Sequence, residues 1–254
     1  MLNLQIKKMN PKLSLFKYWS SFIHPVNITS KPGNQLPKLE VNVRNGKYVL
    51  DGEKVNYSFG SLHELFKGAF AEYQLYQKPI KSVLILGFGG GSVANILKNE
   101  LNLNCEITGV EMDPIVIELA KKYFGANRLD NTEIFCQDAF NFMKNDVKTY
   151  DLIVIDLFIE DRVPVQYSKN EFIHLLKTHL NPEGYIFYNR ITNNWFNKNE
   201  TNRVVETMRK EFKAEIDTFS FDQHNTSNEV LIYHDFENKE PYIRLKRKIE
   251  QTSI

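Results

Sequence analysis

The sequence predicts an α/β protein built on a seven-stranded, mostly parallel, doubly wound sheet that ends in an antiparallel hairpin. Two observations predict this fold. From residue 81 onward, β-branched apolar runs such as SVLILG and DLIVID alternate with helical patterns, which is typical of parallel strands buried on both faces. The last two runs, AEIDTFSF and NEVLIYHD, are joined by too few residues for a crossover helix, so they are expected to pair antiparallel.

The elements before this sheet predict a smaller unit. Three prolines interrupt the start of the chain, so we expect an irregular arm whose aromatic side chains dock on another part of the protein. The next segment alternates apolar and polar residues around Asn45-Gly46, a strong hairpin signal. The predicted units are an irregular N-terminal arm (1–36), a small antiparallel β-hairpin cap (37–60), the main Rossmann-like domain (61–236) and a C-terminal tail or helix (237–254).

Composition excludes several classes of partner. Lys and Arg total 32 against 31 Asp and Glu, a net charge of +1, so no overall field attracts nucleic acid or a membrane surface, and neither is expected as a partner. Cys105 and Cys136 both fall in strand-like runs and predict buried thiols in a reducing, cytoplasmic location. The six histidines are scattered, and no spacing predicts a metal site.

The first parallel strand is followed by a glycine-rich loop. Gly87, Gly89 and Gly91 give the pattern G-x-G-x-G in VLILGFGGGSV. The sixth position is Ser92, so the dinucleotide fingerprint fails, and no Gly-Lys-Ser/Thr of a phosphate loop follows. Glycines there bring bare backbone N–H groups to a ligand at the strand end.

Acidic residues end the next two strands. Glu111 lies about 20 residues after the glycines, where an acid binds the two hydroxyls of a ribose. Asp113, before Pro114, is interpreted as a helix cap. Asp138 is consistent with binding an adenine amine and equally with capping the next helix. Together these strand ends predict a nucleoside site that needs no phosphate, which S-adenosylmethionine fits.

The same segments resemble a known family. VLILGFGGGSV, GVEMDPIVIELAKKYF, CQDAFNFM and YDLIVIDLF resemble motifs of the class I S-adenosylmethionine-dependent transferases, and within them of the spermidine synthase-like group. The likeness covers roughly residues 40 to 235. It implies that S-adenosylmethionine or its decarboxylated form binds at Gly87, Phe88, Gly89, Gly90, Gly91, Glu111, Met112, Asp138 and Ala139.

The resemblance also implies a catalytic acid and an acceptor site. Asp156, at the end of the fourth strand, matches the family's acid that deprotonates the acceptor amine. Weaker matches for substrate contacts are His63, Glu64, Glu160, Asp161 and Asn189, although His63 is more readily interpreted as a structural histidine.

The chain departs from the family's motifs at two positions. Ile159 stands where the family has a second acid that holds the polyamine. Gly90 replaces an Asp that faces the ammonium of the decarboxylated donor, which favours the intact cofactor.

We therefore expect methyl transfer to an unidentified small-molecule acceptor. Two alternatives stay open: an aminopropyltransferase that makes a polyamine from decarboxylated S-adenosylmethionine and putrescine, and a non-catalytic nucleoside-binding module. Because members of the family commonly pair through the N-terminal region, the aromatic arm favours a homodimer.

Overall fold

A computed structural model describes residues 13–34, 37–53, 56–159, 162–220 and 228–234. Its N-terminal part is a helix, α1, followed by a four-stranded antiparallel sheet in the order β1-β2-β3-β4. These elements are α1 (Leu15–Ser20), β1 (Val26–Lys31), β2 (Leu39–Arg44), β3 (Lys47–Asp51) and β4 (Asn56–Ser58).

The expected hairpin is present, but the arm is more regular than its prolines suggest. Asn45 and Gly46 both have positive φ, 49° and 74°, as a two-residue turn between β2 and β3 requires. The segment before it contains α1 and β1, and β1 pairs antiparallel with β2. Backbone hydrogen bonding to an existing strand edge orders β1, a contact that local sequence does not reveal.

The main domain contains the remaining strands and helices. Its helices are α2 (Ser61–Glu72), α3 (Ser92–Asn95), α4 (Pro114–Leu119), α5 (Ala139–Asn145), α6 (Asn170–Thr178) and α7 (Trp195–Phe212). Helices α3 and α4 continue as π-helical turns, Ile96–Glu100 and Ala120–Phe124. Its strands are β5 (Ser82–Leu86), β6 (Glu106–Glu111), β7 (Thr132–Cys136), β8 (Tyr150–Ile155), β9 (Leu180–Ile191), β10 (Asp217–Ser220) and β11 (Asn228–His234).

The predicted fold class is confirmed. The seven strands lie in the order β10-β11-β9-β8-β5-β6-β7. Strands β5 to β9 pair parallel, whereas β11 pairs antiparallel with both β9 and β10. The order reverses at β5, and the carboxyl ends beside such a switch point form the usual ligand crevice of open α/β sheets.

Two buried clusters cover the two faces of this sheet. Along β5, Val83 and Ile85 belong to one cluster while Leu84 and Leu86 belong to the other, because successive side chains of a strand point to opposite faces. This double burial explains the continuous apolar runs. A third cluster joins the N-terminal sheet to α4. Within the described ranges no helix has the length and apolar character needed to cross a membrane.

Candidate active site

A cleft opens at the carboxyl ends of β5, β6, β7 and β8. Its polar lining residues are Glu111, Gln137, Asp156 and Tyr167. The remainder of the lining is backbone or apolar: Gly87, Val110, Met112, Ala139, Leu157, Phe158, Ile159 and Pro164. The cleft therefore combines two carboxylates with walls suited to the flat faces of a nucleoside.

The glycine loop brings two strand ends into close contact. Gly87 has φ +85°, and a Cβ there would overlap the carbonyl oxygen of Asp156. The N–H groups of Gly87 and Phe88 both donate to the carbonyl oxygen of Val110, at 2.9 Å. Glycine is thus needed at position 87 both for its dihedral angle and for the approach of β8.

Phe88 contributes packing to this loop and not a side-chain ligand contact. Its side chain is 3% exposed, and a Cβ on Gly109 or Gly91 would meet its ring. Gly109 on β6 therefore makes room for the ring beneath the loop. Any contact of Phe88 with a ligand in the cleft is through its backbone.

Glu111 is buried at the end of β6 and tied to the glycine loop. Its Oε2 accepts the Gly89 N–H at 2.9 Å, and its Oε1 accepts the Asp113 N–H at 3.1 Å. Burial raises the pKa of Glu111 to about 7, opposed by those backbone hydrogen bonds. The carboxylate is held at the strand end, and Met112 beside it lines the cleft.

Asp138 is the N-cap of α5, one of the two roles that its sequence position left open. Its Oδ1 accepts the Asn141 N–H and caps α5. Its Oδ2 accepts the hydroxyl of Tyr167 at 2.7 Å and the Gln166 amide at 3.2 Å. Tyr167 is a cleft residue that sequence reasoning missed, because the turn that carries it has no motif and reaches Asp138 only through tertiary packing.

Asp156 is the acid at the centre of the cleft. It follows β8, it is only partly exposed, and its Oδ1 accepts the Asn189 Nδ2 amide at 2.7 Å. Burial raises the pKa of Asp156 to about 7; the Asn189 hydrogen bond opposes the shift and the charge of Glu111 adds to it. Among the described residues the buried Oδ1 of Asn189 has no hydrogen-bond partner. Asp156 therefore lines the cleft, whereas Asn189, 2% exposed, acts only through its hydrogen bond to Asp156.

Of the remaining sequence candidates, neither His63 nor Glu64 lines the cleft within the described ranges. His63 hydrogen-bonds Ser92 Oγ at 2.8 Å and Glu100 Oε1 at 2.6 Å, which fits the structural interpretation. Glu64 is exposed and is absent from the lining of the cleft in the part of the chain that the structure describes. Glu160 and Asp161 lie outside the described residues.

Gly90 has a packing explanation that the sequence did not reveal. A Cβ at this position would lie 2.9 Å from both Cβ and Oγ of Ser58 on β4, so even alanine requires Ser58 to move. The missing carboxylate is accounted for by the close approach of the N-terminal sheet. The absence of a side chain at position 90 thus has a packing explanation that does not involve the ligand.

The sheet order, the glycine loop and the acids at consecutive strand ends define a Rossmann-like domain of the class I methyltransferase fold. Residues 67–246 match the family model described as the spermine/spermidine synthase domain, and the chain belongs to that family. The expectation of a spermidine synthase-like protein is confirmed.

Named relatives agree with this assignment. The chain is 31% identical over 118 residues to a polyamine aminopropyltransferase of Vibrio vulnificus, covering 45% of this chain and 39% of that protein. It is 34% identical over 143 residues to a polyamine aminopropyltransferase of Buchnera aphidicola, covering 52% of this chain and 48% of the relative. Each match thus spans less than half of the relative's length.

A solved structure supports the fold. The spermidine synthase of Thermotoga maritima superposes with a TM-score of 0.64 at 16% identity, over 82% of this chain and 72% of that chain.

The expectation of methyl transfer is wrong. The matched relatives are named as aminopropyltransferases, not methyltransferases, and they agree with the alternative. The expectation had interpreted Gly90 through the ligand, whereas in the structure a side chain at position 90 would press on Ser58.

Proposed function

We propose that the protein is an aminopropyltransferase that moves the aminopropyl group of decarboxylated S-adenosylmethionine to an amine acceptor. The observation that carries the proposal is Asp156, a carboxyl at the end of β8 that lines the cleft and has a pKa of about 7. Asn189 donates a hydrogen bond to it. The chain belongs to the spermine/spermidine synthase family.

The nucleoside of the donor is assigned to the first three strand ends. Glu111 is the ribose ligand, since it is the buried acid at the end of β6. Met112 and Ala139 line the cleft where the adenine would lie, and Asp138 is the candidate for its amine. Gly87, the glycine of the loop that lines the cleft, is assigned to the aminopropyl-bearing end, and Gly89, Gly90 and Gly91 shape the loop behind it.

The raised pKa of Asp156 makes it a better base. An alkylammonium has a pKa near 10, so proton transfer to an ordinary Asp of pKa about 4 is uphill by roughly 8 kcal/mol. With a pKa of about 7, the same transfer is uphill by roughly 4 kcal/mol. Burial of the carboxyl therefore lowers the cost of generating the free amine within the cleft.

The proposed reaction uses Asp156 as the base. The acceptor's ammonium gives one proton to Asp156, whose carboxylate is held in place by the Asn189 Nδ2 amide. The nitrogen lone pair then forms a bond to the methylene carbon next to the sulfonium. The carbon–sulfur bond breaks with its electrons going to sulfur, which leaves neutral methylthioadenosine. The product keeps its new secondary ammonium, and Asp156 releases the proton it accepted to solvent.

A polyamine precursor such as putrescine is the first acceptor to test, by analogy with the names of the relatives. A homodimer and a cytoplasmic location stay predictions.

The test uses the full chain with decarboxylated S-adenosylmethionine and putrescine or spermidine. Mass spectrometry is expected to detect methylthioadenosine and the amine extended by one aminopropyl group. Asp156→Asn should remove most of this product, whereas the matched surface variant Asp130→Asn should keep it, since Asp130 is exposed and does not line the cleft. Donor binding by calorimetry without methylthioadenosine from either amine would contradict the proposal, as would methylation of the amine from intact S-adenosylmethionine.

A further inference from the structure

The side of the cleft that is left for the acceptor is apolar around a single carboxylate. The donor is assigned to the ends of β5, β6 and β7, so the acceptor amine approaches along the segment that follows β8, where Asp156 lies. The residues of this segment that line the cleft together with Asp156 and Tyr167 are Leu157, Phe158, Ile159 and Pro164. All four are apolar, so an acceptor that reaches Asp156 meets mainly hydrocarbon along this wall.

Packing behind the wall holds its side chains in place. Ile159 packs against the cluster that joins the N-terminal sheet to α4, and its N–H donates to the carbonyl oxygen of Arg162 at 2.9 Å. Leu157 packs against one of the two clusters of the main sheet, and its Cδ2 lies 3.4 Å from the position of a Cβ on Gly87. These two side chains therefore stay beside Asp156 and the glycine loop when a ligand enters.

The carboxylates of the cleft are outnumbered by the positive charges of the reactants. Among the described lining residues, the acids are Glu111 and Asp156. Glu111 is 4% exposed, and its two oxygens accept the N–H groups of Gly89 and Asp113, so it is held on the nucleoside side. Decarboxylated S-adenosylmethionine brings a sulfonium and an ammonium, and the reacting amine brings a third positive charge. A second ammonium on the acceptor would be a fourth, without a carboxylate partner among the described residues of the wall.

We infer that the preferred acceptor is a primary amine whose remaining body is apolar, such as a linear alkylamine, and not a diamine. The inference rests on the proposed function and narrows its acceptor. The bonds that form and break are those of the proposed reaction, with the alkylamine nitrogen as the nucleophile. Hydrocarbon against Leu157 and Ile159 leaves water favourably, whereas an ammonium at the same place would lose its hydration without gaining an ion pair.

The first experiment compares two acceptors of equal length on the full chain. In n-pentylamine a methyl group stands where putrescine has its second ammonium. With decarboxylated S-adenosylmethionine as donor, kcat/KM for methylthioadenosine release should be about tenfold or more higher with n-pentylamine. An equal or higher value with putrescine would overturn the inference and leave the proposed function standing. Methylthioadenosine from neither amine, with donor binding detected by calorimetry, would overturn both.

Variants at position 159 test the apolar wall directly. Ile159→Asp should raise kcat/KM for putrescine and lower it for n-pentylamine, each by about tenfold, because it supplies a carboxylate for the second ammonium. Ile159→Asn, which is polar and uncharged, should lower the n-pentylamine value without raising the putrescine value. Val147→Asp adds the same charge at a residue that is 94% exposed and does not line the cleft, and it should change neither. An unchanged ratio of the two values in a folded Ile159→Asp variant would refute the role of this wall.

A double variant tests the two acids that follow Ile159 in the sequence. Glu160 and Asp161 lie outside the described residues, and Glu160→Gln with Asp161→Asn removes both charges. The double variant should keep n-pentylamine as the better acceptor, as in the parent chain. A preference for putrescine in the parent chain that this double variant abolishes would assign the second ammonium to these acids and overturn the inference.

Discussion

Asp156→Asn should make the protein more stable at alkaline pH while removing its activity. The pKa of Asp156 is raised from 3.8 to about 7 in the folded state. Between these values the folded state binds more protons than the unfolded state, so the free energy of unfolding falls as pH rises from about 4 to about 7. At about 1.4 kcal/mol per pH unit, the ionised carboxylate costs up to roughly 4 kcal/mol above pH 7.

The amide avoids this cost and keeps the neighbouring contact. Asparagine carries no charge to desolvate, and its oxygen can still accept the Asn189 amide hydrogen that Asp156 accepts. The substitution also removes the repulsion between the carboxylates of Glu111 and Asp156, which helps to raise the pKa of Asp156. We expect the variant to be about 2–4 kcal/mol more stable than the parent at pH 8 and nearly equal at pH 4.

Two measurements check this prediction. Urea unfolding followed by circular dichroism at pH 8 and pH 4 gives the stability difference. The rate of methylthioadenosine release should fall about 10²- to 10⁴-fold, and in the parent protein that rate should rise with pH through about 7 as Asp156 ionises. A variant that is less stable at pH 8, or one that keeps full activity, would refute the assignment of a desolvated base.

Three further substitutions test the geometry around the loop and the sheet. Gly90→Ala should lower the free energy of unfolding by about 1–3 kcal/mol, because the new methyl group would press on Ser58. Adding Ser58→Gly should recover most of that stability, and additive losses in the double variant would contradict the contact. Gly87→Ala should lower both the melting temperature and the rate, because its Cβ overlaps the Asp156 carbonyl at a φ of +85°; a fully active, equally stable variant would disprove that approach. Asp151→Ala should lower stability by about 1–3 kcal/mol, with kcat within about twofold, because that carboxylate accepts backbone and side-chain hydrogen bonds at the opposite end of β8; a large fall in kcat at unchanged stability would argue against this purely structural role.

Periodicity and strand-end residues were sufficient to predict the main domain. Continuous apolar runs separated by helical patterns specify buried parallel strands, and the carboxyl ends of neighbouring parallel strands must meet at one edge. This rule alone places the glycine loop near Glu111 and Asp156, and the structure lines one cleft with Gly87 and both acids. The capping role of Asp113 could also be predicted, because its Oδ1 accepts the N–H of Ile115, only two residues along the chain.

Contacts between distant segments could not be predicted in this way. The pairing of His63 with Ser92 and Glu100, the hydrogen bond from Tyr167 to Asp138, and the packing of β1 beside β2 join residues that share no local pattern. The clearest case is Gly90: its missing carboxylate suggested a ligand difference, and only the structure reveals that a side chain there would press on Ser58.

The sequence by itself determined the order of strands and helices, the nucleoside-type loop and the family, because these depend on short periods and on residues at fixed spacing. Only the tertiary structure decided that Tyr167 joins the cleft, that Asn189 holds Asp156 and that a side chain at position 90 would press on Ser58. Those features depend on how separate sheets and helices pack against one another, and local sequence patterns do not specify contacts between segments that are distant along the chain.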